Sequence, residues 1–237
     1  ILWATSNMRN HGTCIAEFLY LMGLKPVWQP GSHRVTGVEV IPITELKRPR
    51  IDVTGRISGL FRDSLPASVT WLDEAADIIA KLDEPEDMNF VRKHVLEEAE
   101  ELEKEGLSKE EAWREASYRI FGDPPGCFGA GVGALLEGKN WQTVDDIAAV
   151  YTRWGGHAYG KGSEGRYMPK RFEKRMSQIE VTIQNVDQRE SSMLSSDDYN
   201  AYRGGMVAAV RSASGKMPQN YVNDSSDKSK VMIRSLE

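Results

Sequence analysis

Between Arg50 and Asp63 apolar and polar positions first alternate and then change period. Ile51, Val53, Gly55 and Ile57 interleave with Asp52, Thr54, Arg56 and Ser58, the two-residue period of a strand with unlike faces. After Ser58-Gly59 the spacing turns helical: Val69, Leu72, Ala76 and Ile79 recur every three or four residues, and Pro66 is tolerable only in or before a first turn. A strand thus ends, turns at Gly59 and feeds a helix, the kind of junction at which open α/β sheets hold ligands. Arg56, Ser58, Arg62 and Asp63 crowd it. The plainer alternative is that these charges form surface ion pairs, which are common and weak.

The same patterning divides the rest of the chain. Ile1 to Thr5 predicts a buried strand, Ser6 to Gly12 a polar loop, and Ile15, Phe18, Leu19 and Met22 one side of a helix that Gly23 can end. Val27-Trp28 and Val38 to Ile43 predict short extended pieces around a turn at Gly31-Ser32-His33, with Pro42 demoting the second to an edge. Residues 1–86 therefore predict an α/β fold class, a small Rossmann-like parallel layer closed by Asp83-Glu84-Pro85. Residues 87–237 predict a mainly helical part with a few short strands. Asn89 caps a helix carrying Val91, Val95, Ala99 and Leu102, whose Glu-rich face from Glu97 to Glu105 is expected to meet solvent. Ser108 and Glu111 form a capping box for a helix burying Trp113, Ala116 and Ile120, stopped by Gly122. Thr143 and Asp146 start another; a glycine-rich loop covers Tyr159 to Gly165; a helix follows near Phe172 and Met176. Val181 and Ile183 predict a strand, Ser196-Asp-Asp-Tyr199 a helix start, Met206 to Val210 a helix, and Pro218 to Val222 an extended piece. Val231 to Glu237 predicts the opening of a further helix, and Ile1-Leu2-Trp3-Ala4 a strand already under way, so the expectation is a segment of a longer polypeptide.

Composition narrows the function classes. The chain has 237 residues, a formal charge of -5 and 40% hydrophobic residues, enough for a sizeable core. Mild acidity with dispersed Lys and Arg gives no electrostatic footprint for nucleic acid. No apolar run approaches the roughly 20 residues of a bilayer span. Cys14 and Cys127 form neither a disulfide framework nor a thiolate zinc site, which suits a reducing cytoplasm. The run Gly133 to Lys139 nearly matches an ATP-binding P-loop, but Asn140 replaces the Ser or Thr that would hold magnesium, and its helix-forming interior predicts a short helix ending at Gly138. Gly126 to Gly133 follows two prolines and cannot be a dinucleotide fingerprint. His94 and Glu98 share a helix face, where a charge pair is the simpler reading than a ligand pair.

Several motifs carry more. Ser6-Asn-Met-Arg9 with His11-Gly12, Arg48-Pro-Arg-Ile-Asp-Val53, Arg56-Ile-Ser-Gly59 with Phe61-Arg-Asp63, Asp83-Glu-Pro85, Met88 to His94, Gly126 to Gly131, Gln184-Asn-Val-Asp187, Arg189-Glu190, Ser196-Asp-Asp-Tyr199 and Gly204-Gly-Met206 occur in an order that resembles the large subunit of cobalt and magnesium chelatases. The resemblance spans almost the whole chain and is closer to the cobalt-inserting CobN branch than to the large subunit of magnesium chelatase. It implies a segment from the later part of a tetrapyrrole-binding subunit that inserts a divalent metal, cobalt foremost and magnesium or nickel as alternatives, in cobalamin biosynthesis. It also implies AAA-type ATPase partner subunits that use the ATP, in keeping with the failed P-loop match.

Placed on the matching motifs, the roles follow from the chemistry. Peripheral ring carboxylates call for guanidinium forks, with Arg9, Arg56 and Arg62 as candidates beside Ser58. Loss of two inner N–H protons calls for a base, with His11, Asp187 or Glu190 available. Arriving metal could pass through His11 and Asp187. Two alternatives stand beside this reading: a docking module for the ATPase subunits, favoured by the acidic Glu97 to Glu105 face, and a magnesium chelatase segment acting on protoporphyrin.

Overall fold

The computed structural model describes residues 1–190, 196–227 and 229–236. Of the expected first strand only Leu2 pairs, in parallel with Ile57. Trp3 leads directly into helix α1 (Ala4–Arg9), so most of the expected polar loop is helical. Its polar residues are satisfied locally: Asn7 Nδ2 donates to Trp3 O at 2.7 Å, and Asn10 Oδ1 accepts from the Gly12 and Thr13 amides at the start of α2 (Thr13–Met22). Gly23, left-handed at φ 86°, ends α2 as expected. β1 (Leu24–Trp28) and β2 (Val35–Val40) form an antiparallel hairpin, followed by the short α3 (Ile43–Leu46).

The strand expected over Ile51 to Ser58 contracts to β3 (Gly55–Arg56) and the Ile57 bridge, and its alternation is inverted in part. Ile51 is 43% exposed whereas Arg56 is fully buried. Ion pairing explains the inversion. Arg50 binds Glu84 at 2.7 Å, and Asp52 binds Arg119 at 2.6 Å and His94 at 2.7 Å, so charged residues of this segment are drawn inward. Helix α4 (Gly59–Ser64) is capped by Ser58, whose Oγ accepts from the Phe61 amide, and Pro66 opens α5 (Pro66–Ala80).

Helices α6 (Phe90–Lys104) and α7 (Lys109–Ser117) carry the expected Asn89 cap and Ser108–Glu111 capping box. The acidic face is not wholly solvated: Glu98 is buried against Arg175, so it pairs away from His94. Ile120, expected on α7, instead opens β4 (Ile120–Gly122), parallel to β3. After α8 (Gly133–Glu137) and α9 (Val144–Gly155), the stretch expected as a glycine-rich loop forms the hairpin β5 (His157–Gly160) and β6 (Ser163–Tyr167). α10 (Pro169–Gln178) leads to β7 (Val181–Val186), then α11 (Asp197–Tyr199), a π turn over Asn200–Gly204 and α12 (Gly205–Ser214). β8 (Gln219–Asp224) lies parallel to β7, and β9 (Met232–Ser235) runs antiparallel to β8 in place of the expected helix. Glu237 lies outside the described residues.

The architecture is α/β with small mixed sheets. Ile1 and Leu2 stitch two of them together: Ile1 N donates to Ile183 O at 2.9 Å, and Leu2 N to Arg56 O at 2.9 Å. Consecutive β4 residues enter different hydrophobic clusters, as the two faces of a sheet require. Ile120 joins Phe18, Ile57, Leu72 and Val95 in a cluster that draws on both sides of residue 86, while Phe121 joins Tyr151, Phe172 and Met206. No helix among the described residues is long and apolar enough to cross a membrane.

Asp52 is the interior anchor of this frame. Burial pushes its carboxyl pKa up, but Arg119, His94 and Arg175 outweigh that and hold it well below the ordinary carboxylate range. Asp52→Ala, which leaves the buried Arg119 guanidinium without its carboxylate, is expected to lower the unfolding free energy by about 3–5 kcal/mol in urea titration. Glu100→Ala, on an exposed pair with Lys104, leaves the midpoint unmoved. The Asp52 contribution is complete above about pH 4, the unfolded carboxylate value, and is lost as pH falls through the depressed folded value.

Candidate functional site

The segments that leave Leu2, β3, β4 and β7 at their carboxyl ends converge. Asp123, directly after β4, is the hub. One carboxylate oxygen accepts from Arg56 Nη2 at 2.5 Å; the other accepts from the Gly59 amide at 3.1 Å and the Tyr202 hydroxyl at 2.9 Å. Its backbone oxygen accepts from the Tyr159 hydroxyl at 2.5 Å. Arg56 Nη1 donates to Ile57 O at 2.6 Å, and the rings of Tyr202 and Tyr151 cover the guanidinium, centroids 5.0 and 5.5 Å away. In this enclosed setting burial pushes the Tyr151 hydroxyl up to about 12, with Arg56 opposing and Asp123 adding to the shift. Gly59 is required by close approach, since a Cβ there would stand 2.6 Å from Cys127 O.

The rim is more open. Arg9, at the end of α1, places Nε and Nη2 on the two oxygens of Asp187, 2.6 and 2.9 Å away, a bidentate pair across 178 positions of sequence. The Arg9 side chain is 51% exposed and that of Asp187 only 3%, so the carboxylate is covered while the arginine, its Nε–Nη2 edge turned to it, stays half exposed. Burial raises the Asp187 pKa, but the Arg9 bonds and charge more than reverse it and hold the carboxyl below its usual range. Asp187 therefore stays ionised at neutral pH and orients Arg9. Tyr199 stands edge-on to Trp3, centroids 6.0 Å apart, and Trp3 meets Tyr202 at 4.6 Å, joining rim to hub.

The other expected residues have distinct positions. Arg56 is fully enclosed, so its ion pair is an interior one and not the surface pair of the plainer reading. Ser58 is buried and spends its hydroxyl on the α4 cap. Arg62 does form the expected pair with Asp63 at 2.6 Å; its Nη1 also holds the Pro124 and Cys127 carbonyls, and its guanidinium stacks over Phe128. His11 occupies the exposed turn between α1 and α2 at φ 60°. Glu190 lies on the exposed stretch beyond β7, its amide donating to Gln188 Oε1 at 2.7 Å. Among the described residues no three His, Cys, Asp or Glu side chains converge to hold a metal.

Sequence reasoning missed Asp123, Tyr159 and Tyr202. Asp123 was hidden inside Gly122-Asp-Pro-Pro, read only as a helix stop; a search for the carboxylate that a strand-borne Arg56 needs would have singled it out.

Comparison with known proteins follows the same lines. Residues 1–237 match the family model described as CobN/Magnesium Chelatase. The aerobic cobaltochelatase subunit CobN of Sinorhizobium sp is 46% identical over 235 residues, covering 99% of this chain and 18% of that protein. The chloroplastic magnesium-chelatase subunit ChlH of Oryza sativa subsp. indica is 33% identical over 240 residues, covering 100% of this chain and 17% of that protein. A solved structure, the catalytic subunit of cobaltochelatase from Mycobacterium tuberculosis, superposes with a TM-score of 0.92 at 42% identity, covering 99% of this chain and 19% of that one. The chain thus spans about a fifth of the length of the proteins it matches.

The hub has a direct test. Asp123→Ala leaves Arg56 charged and unpaired in the interior and is expected to cost about 3–5 kcal/mol in urea unfolding. Tyr202→Phe removes a single hydrogen bond to the same carboxylate and is expected to cost about 1.5–3 kcal/mol.

Proposed function

The chain belongs to the CobN/magnesium chelatase family, and from that premise we propose that it is the portion of a cobalt-inserting large subunit that engages the peripheral carboxylates of a corrinoid precursor. The 46% identity to a cobaltochelatase subunit over nearly the full chain carries this reading, and the half-exposed Arg9 side chain supports it. In the proposed reaction a divalent metal, cobalt, enters the ring as two N–H protons leave. Arg9 binds a ring carboxylate while Asp187 fixes its orientation. Glu190 and His11, both exposed, are the groups proposed to take protons, and His11 also to meet the arriving metal, since Arg9 holds both Asp187 oxygens. Arg56, Ser58 and Arg62 serve by position: they hold the ends of β3 and β4 and the Pro124–Phe128 loop in place. ATP hydrolysis belongs to AAA-type partner subunits, and the reaction takes place in the cytoplasm.

A second reading, a docking module for those ATPase subunits, draws support from the exposed carboxylates of α6 outside Glu98. A spectral titration of the full-length subunit with a metal-free corrinoid precursor and with protoporphyrin separates the two. Arg9→Ala is expected to weaken corrinoid binding by roughly ten- to a hundredfold, the loss of one charged hydrogen-bonding group. Charge reversal at Glu97 and Glu100 is expected to leave ring affinity unchanged. Unchanged affinity in Arg9→Ala, with ATPase coupling lost on reversal of the α6 carboxylates, would assign the segment to docking instead.

A further inference from the structure

The end of the sheet that carries Asp123 also carries an open bowl. β5 runs antiparallel to β4 and opens opposite Gly122, so its first residue, His157, stands where β4 gives way to Asp123. Pro124, Arg153, Trp154, His157 and Tyr167 wall a cavity there of about 330 Å³.

The imidazole in this wall is half-buried and held in one orientation. His157 Nδ1 lies 3.2 Å from Trp154 O at the end of α9; a carbonyl can only accept, so Nδ1 carries the proton and Nε2 keeps its lone pair. The Tyr167 ring packs against the imidazole, centroids 4.9 Å apart. Nε2 makes no bond among the described residues and is not enclosed. Burial holds the His157 pKa below its ordinary value, with Arg56 acting in the same sense against the Trp154 bond and the Asp123 charge, so the group is neutral at neutral pH. A cap on the helix end would account for Nδ1 alone. A neutral imidazole with one nitrogen pinned by a carbonyl and the other free is also how metal-binding histidines are prepared.

The surroundings narrow the metal. Among the described residues no three His, Cys, Asp or Glu side chains converge, so His157 cannot complete a resident centre. A metal already held in the plane of a macrocycle by ring nitrogens lacks only a ligand above that plane, and one imidazole supplies it. The walls suit such a ring. Pro124, Trp154 and Tyr167 offer apolar surface to its face, and Arg153, exposed and without an ion pair among the described residues, offers a guanidinium to a peripheral carboxylate. Imidazole also favours a transition metal over magnesium.

We propose that His157 Nε2 is the axial ligand to cobalt once the metal has entered the ring, with the bowl seating the face of the macrocycle. This rests on the tetrapyrrole reading above, and on neither Arg9 nor His11. Nε2 carries no proton, so the bond forms without proton transfer and without a change in the oxidation state of the metal.

Electron paramagnetic resonance of the full-length subunit with a cobalt(II) corrinoid that has no base of its own, prepared without oxygen, tests the assignment. Binding is followed in the same samples by the corrinoid absorption. A single axial nitrogen splits each high-field cobalt line into a triplet. The triplet is expected in the unaltered subunit and in His94→Gln, and is expected to be lost in His157→Gln, which keeps a side chain of similar size. In protein made with histidine carrying the heavy nitrogen isotope it is expected to become a doublet, a readout that needs no variant. A bound corrinoid without the triplet, a triplet unmoved by the isotope, or one that survives His157→Gln or disappears in His11→Gln would overturn the axial role and leave the tetrapyrrole reading standing. No bound corrinoid in the unaltered subunit would overturn both.

Discussion

A guanidinium cannot be taken out of water alone, and Arg56 is taken out of water completely. Its partner Asp123 lies 67 positions away, at the end of the neighbouring strand, so the need to neutralise one charge decides where two strands and the helices after them must meet. The same carboxylate fixes the Gly59 amide at the head of α4 and the Tyr202 hydroxyl on the π turn. Replacing such a pair by apolar groups can leave stability unchanged, whereas removing one member is costly, so its value here lies in specifying geometry. The rim inherits that geometry. Trp3 packs on Tyr202, α1 follows Trp3, and Arg9 at the end of α1 reaches Asp187.

Much of the helical content was legible because helices announce themselves locally. The Ser108–Glu111 box, the Asn89 and Ser58 caps, Pro66 at a first turn and Gly23 at a C-terminus are each fixed by neighbours a few residues away. Short strands do not have that independence. β4 has three residues and exists because β3 lies beside it; β9 exists because β8 offers an edge; the β5–β6 hairpin is hidden among glycines that sequence reads as a loop. The segment from Arg50 to Ser58 shows the deeper difficulty. Its alternation was visible, but which set faced inward depended on Glu84, Arg119 and Asp123, partners that no local pattern reveals.

The candidate site divides in the same way. Arg9 and Asp187 could be picked out by residue type and motif, and the fold joins them in one bidentate pair. Their inequality could not be read: the carboxylate is covered and the arginine is half exposed. Arg62 and Asp63 are neighbours in sequence and pair as sequence suggests, yet the remaining donor of Arg62 secures a loop about 60 residues further on.

The π turn over Asn200–Gly204 runs without a break into α12. A π turn holds one residue more than an α turn, which rotates the following helix by about 100° relative to an uninterrupted one. Tyr202 belongs to the same buried cluster as Met206, Ala209 and Val210, so its ring packs with them while its hydroxyl reaches Asp123. At Gly205 a Cβ would run into the ring of Tyr151, the same ring that covers Arg56. A single ring thus acts as a rivet, its edge set in an apolar seam and its hydroxyl in a polar junction.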